Sequence, residues 1–185
     1  MSDQHKVYKD LENINSKDDP WKTQHPYNQK TFKQLIELIK LVPHQSILEV
    51  GCGQGSFTKL LTELSKDVTV IDVSESAIKK ASSEAKGAQF LVSSLENFYP
   101  KRRYDVIICA EILYYIKDER KAIEKLKELG DYLVTSQYVF CLPHISFGTL
   151  KYEWALRKFP LIKRNITTYH NPPTLTIRTV RIIKS

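Results

Sequence analysis

Ser46-Ile47-Leu48-Glu49-Val50-Gly51-Cys52-Gly53-Gln54-Gly55-Ser56 passes from a short apolar, β-prone stretch into three alternating glycines. Phe57, Leu60, Leu61 and Leu64 follow at the spacing of one helix face. Strand, glycine turn and helix in direct succession form half of a βαβ unit, and the rest of the chain repeats the alternation. The pattern predicts a strand over 68–72, a helix from Ser74 to Lys86, and strands over 88–92 and 104–110. A helix over 118–129 and a strand over 131–137 complete the series. The reading is an α/β fold with a largely parallel sheet. Two further β-rich runs, 165–169 and 175–183, flank Asn171-Pro172-Pro173 and read as a hairpin closing one edge. A helix is expected around 150–158.

Upstream of the turn, Phe32, Leu35, Ile36, Ile39 and Val42 set a helix over 29–42 that Pro43 ends. Residues 1–19 are polar and charge-mixed and are expected to be a mobile arm, leaving 20–185 as a single domain. A chain of 185 residues, 42% apolar and 26% charged, suits one core without a disulfide or metal staple. Its three cysteines, Cys52, Cys109 and Cys141, have neither metal-ligand spacing nor a secreted framework, and no metal is expected. The expectation is a cytoplasmic protein with no membrane association. The net charge of +7 arises after residue 150, where eight basic side chains meet only Glu153. They are dispersed, so they read as a solvated face before they read as a polyanion site.

The glycine turn admits a ligand to bare backbone beside a helix N-terminus. A dinucleotide fingerprint needs glycine at position 56, which is Ser, so a pyrophosphate is disfavoured. Glu49, two positions before the first glycine, suits a cationic ligand. Asp72, at the end of the second strand, can accept hydrogen bonds from both hydroxyls of a ribose. Together these features predict a site for an adenosyl ligand.

Glu49-Val50-Gly51-Cys52-Gly53-Gln54-Gly55, Asp72 and Tyr104-Asp105-Val106-Ile107-Ile108 resemble the motifs of class I S-adenosylmethionine-dependent methyltransferases over residues 20–140. The resemblance implies a Rossmann-like fold with a mostly parallel seven-stranded sheet, a C-terminal antiparallel hairpin and helices on both faces. It implies S-adenosyl-L-methionine as cofactor, with Gly51, Cys52, Gly53 and Gly55 beneath its methionyl and ribose parts. Asp72 would take the ribose, Glu49 would support the methionyl side, and Val73 would flank the acid. The family often carries an acid near adenine after the third strand. Here Ser94 is expected to make a weaker hydrogen bond there, and Leu95 to pack on the ring.

A narrower similarity, carried by Asp19-Pro20-Trp21, Tyr27, Lys30 and Ala110-Glu111-Ile112-Leu113-Tyr114-Tyr115, is to the rhizobial nodulation N-methyltransferases, which methylate an amine on a chito-oligosaccharide. It implies that Trp21 and Tyr27 close over the cofactor, with Lys30 beside them, and that Glu111 stands at its reactive end. Glu111 is the first candidate for proton handling and His144 a second. Tyr114, Tyr115, Tyr138 and Trp154 are candidates for walls of an acceptor pocket. The expected reaction is methyl transfer to a small molecule, with amines among the acceptors. Alternatives are an RNA or protein methyltransferase using the basic C-terminal segment, an NAD-dependent oxidoreductase, and a non-catalytic adenosyl-ligand module. Asn171-Pro172-Pro173-Thr174 resembles an amino-methyltransferase motif, but it lies far from the fourth strand and lacks the aromatic residue.

Overall fold

A computed structural model describes residues 3–141, 160–171 and 174–184. Seven strands, β1 (Ser46–Val50), β2 (Asp67–Asp72), β3 (Ala88–Val92), β4 (Tyr104–Ala110), β5 (Gly130–Cys141), β6 (Leu161–Asn171) and β7 (Thr174–Lys184), form one sheet in the order β3-β2-β1-β4-β5-β7-β6. The first five pair in parallel, and β7 runs antiparallel to both β5 and β6. The strand order reverses direction between β1 and β4, which places a crevice at the carboxyl ends of those two strands.

Alternation along the strands sorts the core. Ile47, Val68, Val70, Val106, Ile108 and Val134 face α2 (Pro26–Ile39), α3 (Ser56–Leu64) and α4 (Glu75–Glu84), meeting Leu35, Leu38, Phe57, Leu61 and Ala81. Leu48, Val50, Ile71, Ile107, Cys109 and Leu133 face α5 (Glu119–Leu129), meeting Ala122, Leu126 and Leu129. Helices therefore cover both faces, as a parallel sheet requires. Glu49 and Asp72, in phase with Ile47 and Val70, share the face of α3 and α4.

The expected elements recur with shifts set by local chemistry. The His25 side chain accepts the Tyr27 N–H and Pro26 takes the first helical turn, so α2 begins three residues before the periodicity suggests. Ser74 and Asp118 cap α4 and α5 by accepting the N–H groups of Ala77 and Lys121. The expected helix near 150–158 lies outside the described residues.

One expectation is corrected. Residues 3–15, expected to belong to a mobile arm, form α1 (Asp3–Asn15). Gln4, Val7, Tyr8, Leu11, Glu12 and Asn15 recur at helical spacing and are all at least partly buried. That inner face is mostly polar, so hydrophobic periodicity does not reveal it. Among the described residues, no helix is long and apolar enough to cross a membrane.

Candidate functional site

A cavity of about 360 Å³ opens at the crevice beyond β1, β2 and β4, within the size range of small-molecule pockets. Its floor is the glycine turn. Gly51 has φ +78°, and any Cβ there would collide with the Ile112 side chain. Gly55 has φ +88°, and a Cβ there would lie 2.6 Å from the Ala81 Cα. Only glycine combines the left-handed backbone with these approaches.

Two buried carboxylates flank the turn. Asp72 is 8% exposed and accepts the Gly53 N–H at 3.0 Å and the Ser74 N–H at 2.9 Å, so it shapes the turn as well as facing the cavity. Burial raises its pKa above the usual carboxylate value. Glu49 is 4% exposed and accepts the Thr58 hydroxyl at 2.6 Å. Burial, with the nearby Asp72 charge adding to it, pushes its carboxyl up to about 7. A pair of poorly solvated acids at one end of a cavity is an arrangement that a cation relieves.

The opposite wall follows β4. Glu111 stands in the left-handed region at φ +58°, unusual for a residue with a side chain. Its N–H donates to the Ser136 carbonyl at 2.8 Å, and its carboxylate accepts the Ser136 hydroxyl at 3.0 Å. The two bonds fix the carboxylate at the cavity wall, beside the tilted pair Tyr114 and Tyr115. Trp21 meets Tyr115 edge to face at 6.5 Å and lies over Gly53.

Trp21, Glu49, Gly51, Cys52, Gly53, Asp72, Val73, Leu95, Glu111, Tyr114 and Tyr115, all expected at the site from sequence, line this one cavity. Gly55 and Ser94 lie outside its walls; the former packs on α4 and the Ser94 hydroxyl accepts the Asn97 N–H. Tyr27 and Lys30 also lie off it. The face of α2 that reaches the cavity is Asn28, Thr31, Phe32 and Leu35, which leaves Lys30 exposed and turns Tyr27 toward His25. His144 and Trp154 lie outside the described residues, and of Tyr138 only the backbone, on β5, is described.

Sequence reasoning missed the cavity's roof. Tyr8, Leu11 and Asn15 of α1 line it, and so does Glu96. The Tyr8 hydroxyl donates to Glu96 at 3.1 Å, two residues beyond the position where an acid was sought. That desolvated phenol, beside the carboxylate, has its pKa pushed up to about 12. The signal for Glu96 was present, as an acid one step past Leu95; the signal for α1 was hidden by its polar inner face.

The residues present fit an adenosyl ligand. A glycine cradle of left-handed backbone, a buried acid at the tip of β2, a second buried acid facing the same space and an apolar wall at Leu95 match its polyol, cationic and aromatic parts.

Comparison with known proteins gives a consistent picture. The model of the nodulation protein S (NodS) family matches residues 3–145. Nodulation protein S of Sinorhizobium fredii (strain NBRC 101917 / NGR234) is 33% identical over 106 residues, 55% of this chain and 49% of the relative. The chain spans about half the length of the first curated relatives it matches. Among solved structures, N-methyltransferase NodS from Bradyrhizobium japonicum WM9 in complex with S-adenosyl-L-homocysteine superposes with a TM-score of 0.78 at 24% identity, covering 95% of this chain and 97% of that one. Magnesium protoporphyrin IX methyltransferase from Synechocystis PCC 6803 with bound S-adenosylmethionine gives 0.71 at 17% identity, covering 100% and 98%.

Proposed function

Because the chain belongs to the nodulation protein S family, we propose that it transfers a methyl group from S-adenosyl-L-methionine to a small-molecule acceptor, with an amine nitrogen as the first acceptor class. The observation that carries this reading is that the glycine cradle, Asp72 and Glu49 share one cavity with Glu111 and its aromatic neighbours.

The cofactor, when bound, supplies a methyl group on a positively charged sulfur, already activated toward a nucleophile. The chain's work is then to bind, align and exclude water. Asp72, with each carboxylate oxygen anchored by one backbone N–H, retains lone pairs for the ribose hydroxyls. Glu49 faces positive charge and is returned to its ionised form by it. Leu95 would pack on the base, and Glu96, held by Tyr8, would accept from an amino group at its edge. Trp21, Tyr114 and Tyr115 shield the reacting end and offer π faces to a cation. Glu111, oriented by Ser136, takes the proton that an acceptor ammonium must lose before its nitrogen can attack.

The test is incubation of the purified chain with methyl-labelled S-adenosylmethionine and a panel of primary amines, amino sugars, phenols and RNA. Label in a small amine acceptor supports the reading, and label in RNA alone would overturn it.

A further inference from the structure

The end of α1 is gathered at a single point. The Lys80 ammonium, on the half-buried side of α4, donates to three carbonyls in a row: Asn15 at 3.0 Å, Ser16 at 3.2 Å and Lys17 at 2.6 Å. The Gln54 amide, from the glycine turn, donates to two of the same carbonyls, Asn15 at 3.0 Å and Lys17 at 2.6 Å. These oxygens close the helix, where no intrahelical donor reaches them and the helix dipole favours a cation. Asn15 is only 2% exposed, and its side-chain oxygen accepts the Trp21 indole N–H at 2.8 Å. Trp21 in turn lies over Gly53, 3.4 Å from where a Cβ would stand.

We propose that Lys80, which does not line the cavity, is a positioning residue that latches the end of α1 to α4 and the glycine turn and thereby holds Asn15 and Trp21 over the bound ligand. The proposal rests on the reading of the cavity as an adenosyl site. The line of force runs from the Lys80 ammonium through the Asn15 backbone to its side chain, and from there to the Trp21 ring and the Gly53 backbone. Every link is a hydrogen bond or a ring contact, and none involves the hydrophobic core. Loss of the ammonium therefore loosens the roof while leaving the sheet and its two cores intact. Three further ties hold the rest of α1. Gln4 exchanges hydrogen bonds with the Tyr115 carbonyl and the Lys117 N–H, Tyr8 donates to Glu96, and Glu12 accepts from the Ser76 N–H and hydroxyl. Lys80 and Gln54 both reach the segment leading to Trp21, Lys80 binding three successive carbonyls and Gln54 two of them.

The experiment compares wild type, Lys80→Met and Lys80→Arg by calorimetric titration with S-adenosylhomocysteine, by melting of the ligand-free protein, and by amide hydrogen exchange over residues 5–17. Lys80→Met is expected to weaken binding about tenfold, the scale of one charge-assisted hydrogen bond. Exchange in α1 should accelerate, the ligand-free melting temperature should stay within about 2 °C, and Lys80→Arg should recover most of the affinity. Wild-type affinity in Lys80→Met, or unchanged α1 exchange, overturns the latch. A large melting loss that Lys80→Arg fails to rescue also overturns it, because the residue is then general scaffold. If the wild type does not bind the ligand, the adenosyl reading falls on its own, and the exchange comparison still decides whether Lys80 holds α1.

Discussion

The floor and the roof of the cavity are built from opposite materials. The floor is backbone and buried acid: Gly51 and Gly53 in the left-handed region, and Asp72 and Glu49 at 8% and 4% exposure on the sheet face that packs against α3 and α4. Its contacts join the ends of adjacent parallel strands. The roof is a polar helix whose ties span far greater distances in sequence, from 39 residues between Gln54 and Asn15 to 113 between Gln4 and Lys117. A floor of this kind cannot be altered without strain, whereas a roof held by individually weak polar contacts can be loosened piece by piece. Changes in the floor should therefore cost stability and binding together, and changes in the roof should cost binding alone.

The largest expected effect tests the floor's rigidity. Gly51→Ala places a Cβ against Ile112 at φ +78°, and we expect a loss of about 3 kcal/mol or more in denaturant unfolding, with binding of S-adenosylhomocysteine lost as well. Wild-type stability in this variant would mean that the turn can relax and would erase the contrast with the roof.

Glu49 gives the floor a pH signature. Its folded-state value of about 7 lies above the unfolded carboxylate range, so the protonated form is favoured on folding. The stabilisation is present in full below about pH 4.5 and is lost as pH rises through 7, about 3 kcal/mol in all. Melting scans from pH 5 to 8 should show ligand-free wild type falling more steeply than Glu49→Gln. The affinity for S-adenosylmethionine should move the opposite way, rising through pH 7 as the ionised acid meets the cation. Parallel melting curves for the two proteins would contradict this account of Glu49.

Glu111→Gln is expected to lower kcat for an amine acceptor about 100-fold while leaving S-adenosylhomocysteine affinity near wild type. The split between rate and binding separates proton handling from a structural role. Asp72→Ala removes the acceptor for two backbone N–H groups and for the ribose, so both affinity and stability should fall by about 2 kcal/mol, read by calorimetry and by melting. The smallest effect belongs to the roof. Tyr8→Phe, which removes the bond to Glu96, should weaken binding roughly twofold to threefold with melting unchanged within about 1 °C.

The same contrast explains what the sequence made legible. Strands β1, β2 and β4 are readable because buried parallel strands are short apolar runs, and the glycine turn because its backbone conformation excludes other residues; β3, half-buried or exposed at the sheet edge, is readable from the alternation of elements. Asp72 and Glu49 were readable because their distance from that turn places them at strand ends. The roof escaped because Gln4, Tyr8, Glu12 and Asn15 meet partners that no local pattern announces. On α2, Tyr27 and Lys30 carry the resemblance, while the face of the helix that meets the cavity is Asn28, Thr31 and Phe32. Glu96 is not legible from the family pattern, which puts the acid at Ser94 or Leu95, because the turn after β3 brings the next residue to the wall.

The central claim is that floor and roof together enclose an adenosyl ligand, and the most direct measurement is the melting temperature of the full chain with S-adenosylhomocysteine and, separately, with NAD. At about 100 times its dissociation constant a ligand adds about 2.7 kcal/mol, which for a chain of this length is a shift of roughly 5 to 10 °C. The account predicts that shift with S-adenosylhomocysteine and none with NAD; stabilisation by NAD alone, or by neither ligand at saturating concentration, would contradict it.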